Sequence, residues 1–349
     1  MCAHLVTPSL GVDGGSVLPA GHWSASVAFR YYNSRQDVLG DEPLDHAIVY
    51  ANTHVYGFDL SAAYAVTDRF DLVLEVPFQY GTRQTWIEHD ILSRDLHTMR
   101  ARGIGDPRVR ADFWLLDPKK FPTGNISLGL GIKIPLGVDD ASDIAYRGPG
   151  YRNTGKVLRP VDPAIQPADG GWGIILASHA FTSLYFPALP SSNWLKNTYA
   201  YADAIYLFNP QEMNHTQTPF ADDPRQTAGD KGLRFDSIPD QWLARMGVSQ
   251  TVWPSKGLAV SAGIRWEGVP AYDVIGGSNG WRLPGNSLSF EPGVTWSPRA
   301  QDSFSVFVPI AVHRHADRSA PFERLGIAPG PGLATIADWE LIISYTHQF

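Results

Sequence analysis

The chain has 349 residues, a formal charge of −7 and one cysteine, Cys2. Charged residues make up 18% of it, below the roughly 25% of an ordinary soluble domain, while aromatic residues reach 12%. No run of about 18 apolar residues could form a membrane helix, no basic stripe could neutralise nucleic-acid phosphates, and a lone cysteine excludes a disulfide framework or a Cys-rich metal site.

Residues 1–21 read as a flexible segment. No basic stretch followed by an apolar one succeeds Met1, so the expectation is either a mature or trimmed start or a protein that stays in the cytoplasm. The apolar segment that precedes a lipidated cysteine is missing, and Cys2 reads as an exposed thiol.

From residue 22 onward the pattern is period two, the signature of strands with one apolar and one polar face. Trp23, Ala25, Val27, Phe29 and Tyr31 share a face; so do Tyr56, Phe58, Leu60, Ala62 and Tyr64, then Phe70, Leu72, Leu74, Val76, Phe78 and Tyr80. A fourth strand carries Val109, Ala111, Phe113 and Leu115, and a fifth runs from Ile126 to Leu136 in alternation. The sixth (about 172–185) and seventh (about 198–208) are too irregular to phase. The eighth to twelfth resume at Trp242–Val248, Leu258–Trp266, Leu288–Trp296, Phe304–Val312 and Trp339–Phe349.

The charges fall on the other face: Arg30, Asp59, Asp71, Glu75, Arg108, Arg110, Asp112, Lys133, Arg245, Arg265, Glu267, Glu291 and Glu340. A soluble sandwich, apolar inside and charged outside, would give the same alternation. The connections separate the two. Short ones (67–69, 117–124, 186–197, 254–257, 298–303) alternate with long ones (about 34–53, 81–105, 137–171, 209–240, 269–287 and 314–337). Long structureless loops are uncommon in a compact domain, whereas short periplasmic turns and long external loops mark an outer-membrane barrel. The expectation is therefore one all-β domain over 22–349, a 12-stranded antiparallel transmembrane β-barrel with both ends periplasmic.

Aromatic side chains agree. Trp23, Tyr64, Phe70, Phe113, Trp296, Phe304, Tyr345 and Phe349 lie at short-turn ends, and Tyr31, Tyr56, Tyr80, Trp242, Trp266 and Trp339 at long-loop ends, as two headgroup girdles require. The final strand, closing on Tyr345 and Phe349, looks like the signal read by the barrel-assembly machinery.

The run Ile104-Gly105-Asp106-Pro107-Arg108, the segment Asn125–Gly137 with its Ile-Lys-Ile-Pro-Leu-Gly ending, Ile165–Trp172, Tyr206–Pro210 and Ile275–Gly285 resemble the outer-membrane barrels known as phenol-degradation (meta-pathway) transporter-like proteins. Leu136 stands where that family usually has Thr. The resemblance spans about residue 20 to the end. It implies a bacterial outer-membrane channel passing small, aromatic or apolar solutes.

The inward charges are nearly balanced in sign, which argues against a ring selective for one ion sign. Two readings stay open: they cross-link the barrel interior, or they line a narrow constriction through Arg30, Arg108, Arg110, Arg265 and Glu267. Loop 137–171, rich in Gly, Pro and Asp, is a candidate plug, and 275–285 reads as turns folded inward. Asp139-Asp140-Ala141-Ser142-Asp143 lacks the Gly and bidentate Glu of a calcium loop, so no metal and no cofactor is assigned. Lipid hydrolysis would need a Ser beside an outward His54 or His347, and no clear strand supplies one; His4, His89, His97 and His215 form no H-E-x-x-H spacing. The partners expected are outer-membrane lipids, the assembly machinery and a small solute, without nucleic acid, for a monomeric, non-enzymatic channel. The rival is a barrel that does not transport and acts through its external loops.

Overall fold

A computed structural model describes residues 17–45, 50–86, 95–147, 155–185, 194–218, 221, 233–326 and 332–349. Residues 1–16, with Cys2 and His4, and His89 lie outside them. Twelve strands form one antiparallel sheet: β1 (Trp23–Ser34), β2 (Ala51–Thr67), β3 (Phe70–Trp86), β4 (Leu96–Ile104, continued by Arg108–Trp114), β5 (Gly124–Lys133), β6 (Gly173–Ser183), β7 (Thr198–Phe208), β8 (Gln241–Trp253), β9 (Leu258–Val269), β10 (Gly285–Arg299), β11 (Asp302–Phe307, continued by Ile310–Ala316) and β12 (Trp339–Gln348). Each pairs with the next, and β12 returns to β1 in register from Ser24↔Gln348 to Asn33↔Trp339. The sheet is a closed barrel. Among the described residues no helix is long and apolar enough to cross a membrane.

The apolar phase of the strands faces outward and the charged phase inward. Leu60 and Leu130 keep 47% and 61% of their surface exposed, while Arg265 and Glu291 keep 1% and 0%. Burying charge and exposing leucine is costly in water; it is favourable only where the outer solvent is hydrocarbon. Closure follows, because an open edge there leaves backbone groups with no partner.

The ladder is interrupted where proline removes a donor. In β4 the break at Gly105-Asp106-Pro107 faces Pro77 of β3, whose carbonyl accepts the Gly105 N–H at 2.8 Å. A Cβ on Gly105 would lie 2.8 Å from the Pro77 ring and 2.9 Å from the Pro167 carbonyl oxygen, so only glycine fits. In β11 the break at Val308-Pro309 faces Pro292 of β10, with Val308 N–H donating to its carbonyl at 3.0 Å.

Several expected loops are partly strand. Residues 81–86 and 96–104, expected within a loop, extend β3 and β4 beyond the apolar girdle, paired from Gly81↔Ala101 to Trp86↔Leu96. Here the polarity inverts: Met99 and Ala101 are buried inside the barrel mouth, and Arg100 and Arg102 point outward. Above the hydrocarbon the outer face meets water, so the apolar alternation that identifies a membrane strand disappears. Strand β5 also stops at Lys133, short of the Leu136 expected.

The long connections fold over the barrel as a cap. A hairpin (Ser142–Arg147 with Gly155–Pro160), a strand pair (Met213–Gln217 with Phe235–Ser237), a three-stranded sheet (Asp37–Leu39, Glu42–Pro43 and Leu333–Thr335) and a short helix (Ala320–Arg324) build it. One of its cores packs Val38, Trp281, Leu283, Ala334 and Ile336.

Aromatic contacts mark both rims. Trp23 packs on Tyr64 at 4.5 Å, and Trp296, Phe304 and Tyr345 form a row at 5.5 and 4.6 Å. At the opposite rim Tyr31 contacts Tyr56 and Trp339, and Trp242 contacts Trp266. Leu60 lies midway between Tyr64 and Tyr56 along β2. Leu60→Arg should cost about 2–4 kcal/mol, the midplane value for a lipid-facing cation, measured by urea titration of the refolded barrel in lipid vesicles. A loss below about 0.5 kcal/mol, an ordinary water-exposed substitution, would contradict the outward assignment.

Candidate functional site in the barrel lumen

Strands alternate their side chains between two faces, so each strand delivers its charges to the lumen at every second residue. On β4, Arg108, Arg110 and Asp112 stand in a ladder, joined to Glu75 of β3. Arg110 Nε donates to Asp112 at 2.7 Å, and Glu75 lies 3.5 Å from Arg110 and 3.9 Å from Arg108. Across the interior, Arg245 of β8 sits between Asp203 of β7 at 2.6 Å and Glu291 of β10 at 3.6 Å. Glu291 is shared with Arg265 of β9 at 3.5 Å, and Arg265 also donates to Glu267 at 2.9 Å. Arg30 of β1 is attracted electrostatically to Glu340 of β12 and Asp59 of β2. Asp71, lower in the lumen, accepts the Trp114 indole N–H at 3.2 Å.

All the inward charges expected from the sequence therefore share one interior, most of them less than a tenth exposed. The belt also contains Asp203 and His179, which pair with each other on β7 and β6. Neither was recoverable while those two strands could not be phased. Their outward positions include the small Ser178, Ala180, Ala200, Ala202 and Ala204, and their inward positions include the apolar Ile175, Phe181, Tyr201, Ile205 and Leu207, so neither phase reads as purely apolar or purely polar.

Above the belt, part of loop 137–171 lies inside the barrel. Ile165 is fully buried, and a Cβ on Gly81 of β3 would approach its side chain to 2.7 Å. The Tyr32 hydroxyl donates to the Ala164 carbonyl at 3.1 Å and the Gln79 amide to the Gln166 carbonyl at 2.9 Å. Gln166 closes the loop on itself through both the N–H and the carbonyl of Ala141, each at 3.0 Å. Lys133, at the upper end of β5, holds the segment by pairing with Asp169 and lies 3.9 Å from Asp106. Higher still, Arg83 of β3 binds Asp37 of the cap at 2.8 Å and Asp162 at 3.4 Å. The loop at 275–285 packs into the cap: Trp281 is buried in the cap core, and Arg282 forms a fully buried pair with Asp273.

The acidic run at 139–143 and the outward histidines make local contacts. Asp143 spends its carboxylate on the backbone N–H groups of Arg100 and Ile144, both at 2.7 Å. His54 accepts or donates to Tyr31 at 2.9 Å, and His347 is oriented by Asp302 at 2.8 Å, in contact with Tyr345 through the same carboxylate. At the C-terminus, the Phe349 N–H donates to the Trp23 carbonyl at 2.8 Å.

In the cap, Asp236 is buried, and that burial, reinforced by the negative charge of Asp162, pushes its carboxyl well above the usual range. A carboxyl raised in this way favours folding while protonated and opposes it as pH climbs from the ordinary carboxylate range through its raised value.

The architecture is of the outer-membrane β-barrel type. An outer-membrane channel from Pseudomonas putida F1 has the same shape at a TM-score of 0.53 over 99% of this chain and 100% of that one, with 12% identity. The translocator domain of the autotransporter NalP from Neisseria meningitidis (0.46, 9% identity, 95% and 89% covered) and the toluene transporter TbuX from Ralstonia pickettii (0.41, 11% identity, 95% and 90% covered) are more distant. No family model and no curated protein matches the sequence.

Two outcomes follow. Glu291→Gln leaves Arg245 and Arg265 short of their shared counter-charge and should cost about 3–5 kcal/mol, the usual penalty for breaking a buried ion pair, by urea unfolding in detergent; a loss below about 1 kcal/mol, the range of solvated pairs, would mean the lumen is open to water. Asp236→Asn should make cap segments exchange amide hydrogens more slowly than wild type at pH 8 and equally at pH 4. Faster exchange at pH 8 would show that the carboxylate holds the cap.

Proposed function

We propose that the protein is a channel of a bacterial outer membrane that passes small aromatic or apolar solutes, and that segment 161–171 is its gate. The observation that carries this reading is the Lys133 clamp. One lysine on the rigid wall engages Asp169 of the inward-folded segment and lies beside Asp106, the residue at the break in β4. The segment is tied to the wall by a few polar contacts around a buried Ile165, and removing the lysine leaves the carboxylates of Asp169 and the buried Asp106 without their counter-charge, which favours movement of the segment away from the wall. The fold shared with the Pseudomonas putida channel and the sequence resemblance support the same reading. The inward charges named above, Arg30, Asp59, Glu75, Arg108, Arg110, Asp112, Lys133, Arg245, Arg265, Glu267, Glu291 and Glu340, then act as the constriction below the gate. Tyr345 and Phe349 act as the assembly signal.

Planar-bilayer recording tests the proposal. Wild type should show small, rare openings, and Lys133→Met should raise conductance and the flux of a small aromatic probe severalfold. A second reading, a barrel that does not transport, draws on the buried belt of ion pairs. It predicts that both proteins stay silent and pass no probe even with the clamp removed, which would overturn the proposal.

A further inference from the structure

The outer wall carries a groove of about 780 Å³ across β5 to β8. Its floor is Ala180 of β6 and Ala200 and Ala202 of β7, and its sides are Ile126 of β5 and Met246 and Val248 of β8. The register explains the depth. Ile126, Ala180, Ala202 and Met246 lie in one row across four strands, so two methyl groups stand between two long side chains. At the level of Leu176, Tyr206 and Trp242 the row is filled again, which closes the groove toward the long-loop side. At the other end it runs out to Leu116 and Thr123, beside the turn that joins β4 to β5.

That end is basic and aromatic. The turn carries exposed Lys119, Lys120 and Phe121. Lys119 binds Asp68, and Lys120 lies 3.9 Å from Asp117 with 76% of its side chain exposed. On the far side, the Trp194 carbonyl accepts from Gln250 of β8 at 3.2 Å, leaving Trp194 72% exposed, with Lys196 exposed two residues on. An apolar trough ending at lysine and tryptophan matches a lipid lying along the wall, with its chain in the trough and its phosphate at the interface.

We infer that this groove is a binding site for one phospholipid of the leaflet facing the short turns: an acyl chain lies on Ala180, Ala200 and Ala202, and the phosphate engages Lys196 and Lys120. The inference rests on the barrel's membrane setting but not on solute transport. Holding a chain below the general wall surface gives that lipid more apolar contact than bulk lipid receives, and so a longer residence.

The test uses full-length protein reconstituted with a phosphatidylethanolamine and phosphatidylglycerol mixture, then extracted in mild detergent and analysed by native mass spectrometry. Wild type should retain a phospholipid through washing. Filling the floor with Ala180→Leu and Ala202→Leu should reduce retention severalfold, whereas Ala62→Leu on the opposite wall should not. Lys196→Ala with Lys120→Ala should shorten retention while leaving the fold intact by heat-modifiability on gels. Equal retention in wild type and the filled variant overturns the inference. So does a wild-type dimer that the filling converts to monomer, which would make the groove a contact between copies. Failure of wild type to insert into vesicles at all would instead contradict the membrane reading on which it rests.

Discussion

The seam between β1 and β12 is the constraint on which the rest depends. Backbone N–H and C=O groups facing hydrocarbon have no water to bind, so a sheet placed there must return to its own first strand. The ten residue pairs from Ser24↔Gln348 to Asn33↔Trp339 accomplish this. Closure in turn fixes an inside and an outside, and the period of two then sends every other residue to one or the other. The outward set is lipid-soluble. The inward set must satisfy itself within a confined space.

Confinement explains the ion belt. Twelve strands enclose more space than eight, which side chains alone can fill, and less than an open sixteen-stranded porin. Arginine suits such a space because its planar fork engages two carboxylates at once. Arg245 between Asp203 and Glu291, and Arg265 between Glu291 and Glu267, use that property to tie β7 to β10 across the interior. Above the belt the inner wall turns apolar at Met99 and Ala101, and there the inward segment rests its Ile165. Above Lys133 the lumen thus combines an apolar contact around Ile165 with the cluster of buried Arg83 and Asp37 with Asp162.

The fold was legible because hydrocarbon imposes a strict rule on every second residue of most strands. Where the rule relaxes, reading fails. The outward positions of β6 and β7 include Ala180, Ala202 and Ala204, small enough to blur the phase, and Asp203 and His179 were missed with them. The upper half of β4 was missed because beyond the membrane its outward residues are Arg100 and Arg102. The inward folding of loop 137–171 was expected from its glycines and prolines, but its anchors were not: Lys133 and Asp169 are 36 residues apart, and only the closed wall brings them together.

The claim underlying all of this is that the apolar phase touches lipid. A single-cysteine scan along β2, made in a chain lacking Cys2 and labelled with an environment-sensitive fluorophore in vesicles, measures it directly. Positions 56, 58, 60, 62 and 64 should be quenched by a lipid-borne quencher and positions 57, 59, 61 and 63 should not. Equal quenching in both sets, or quenching confined to 57, 59, 61 and 63, would contradict the account.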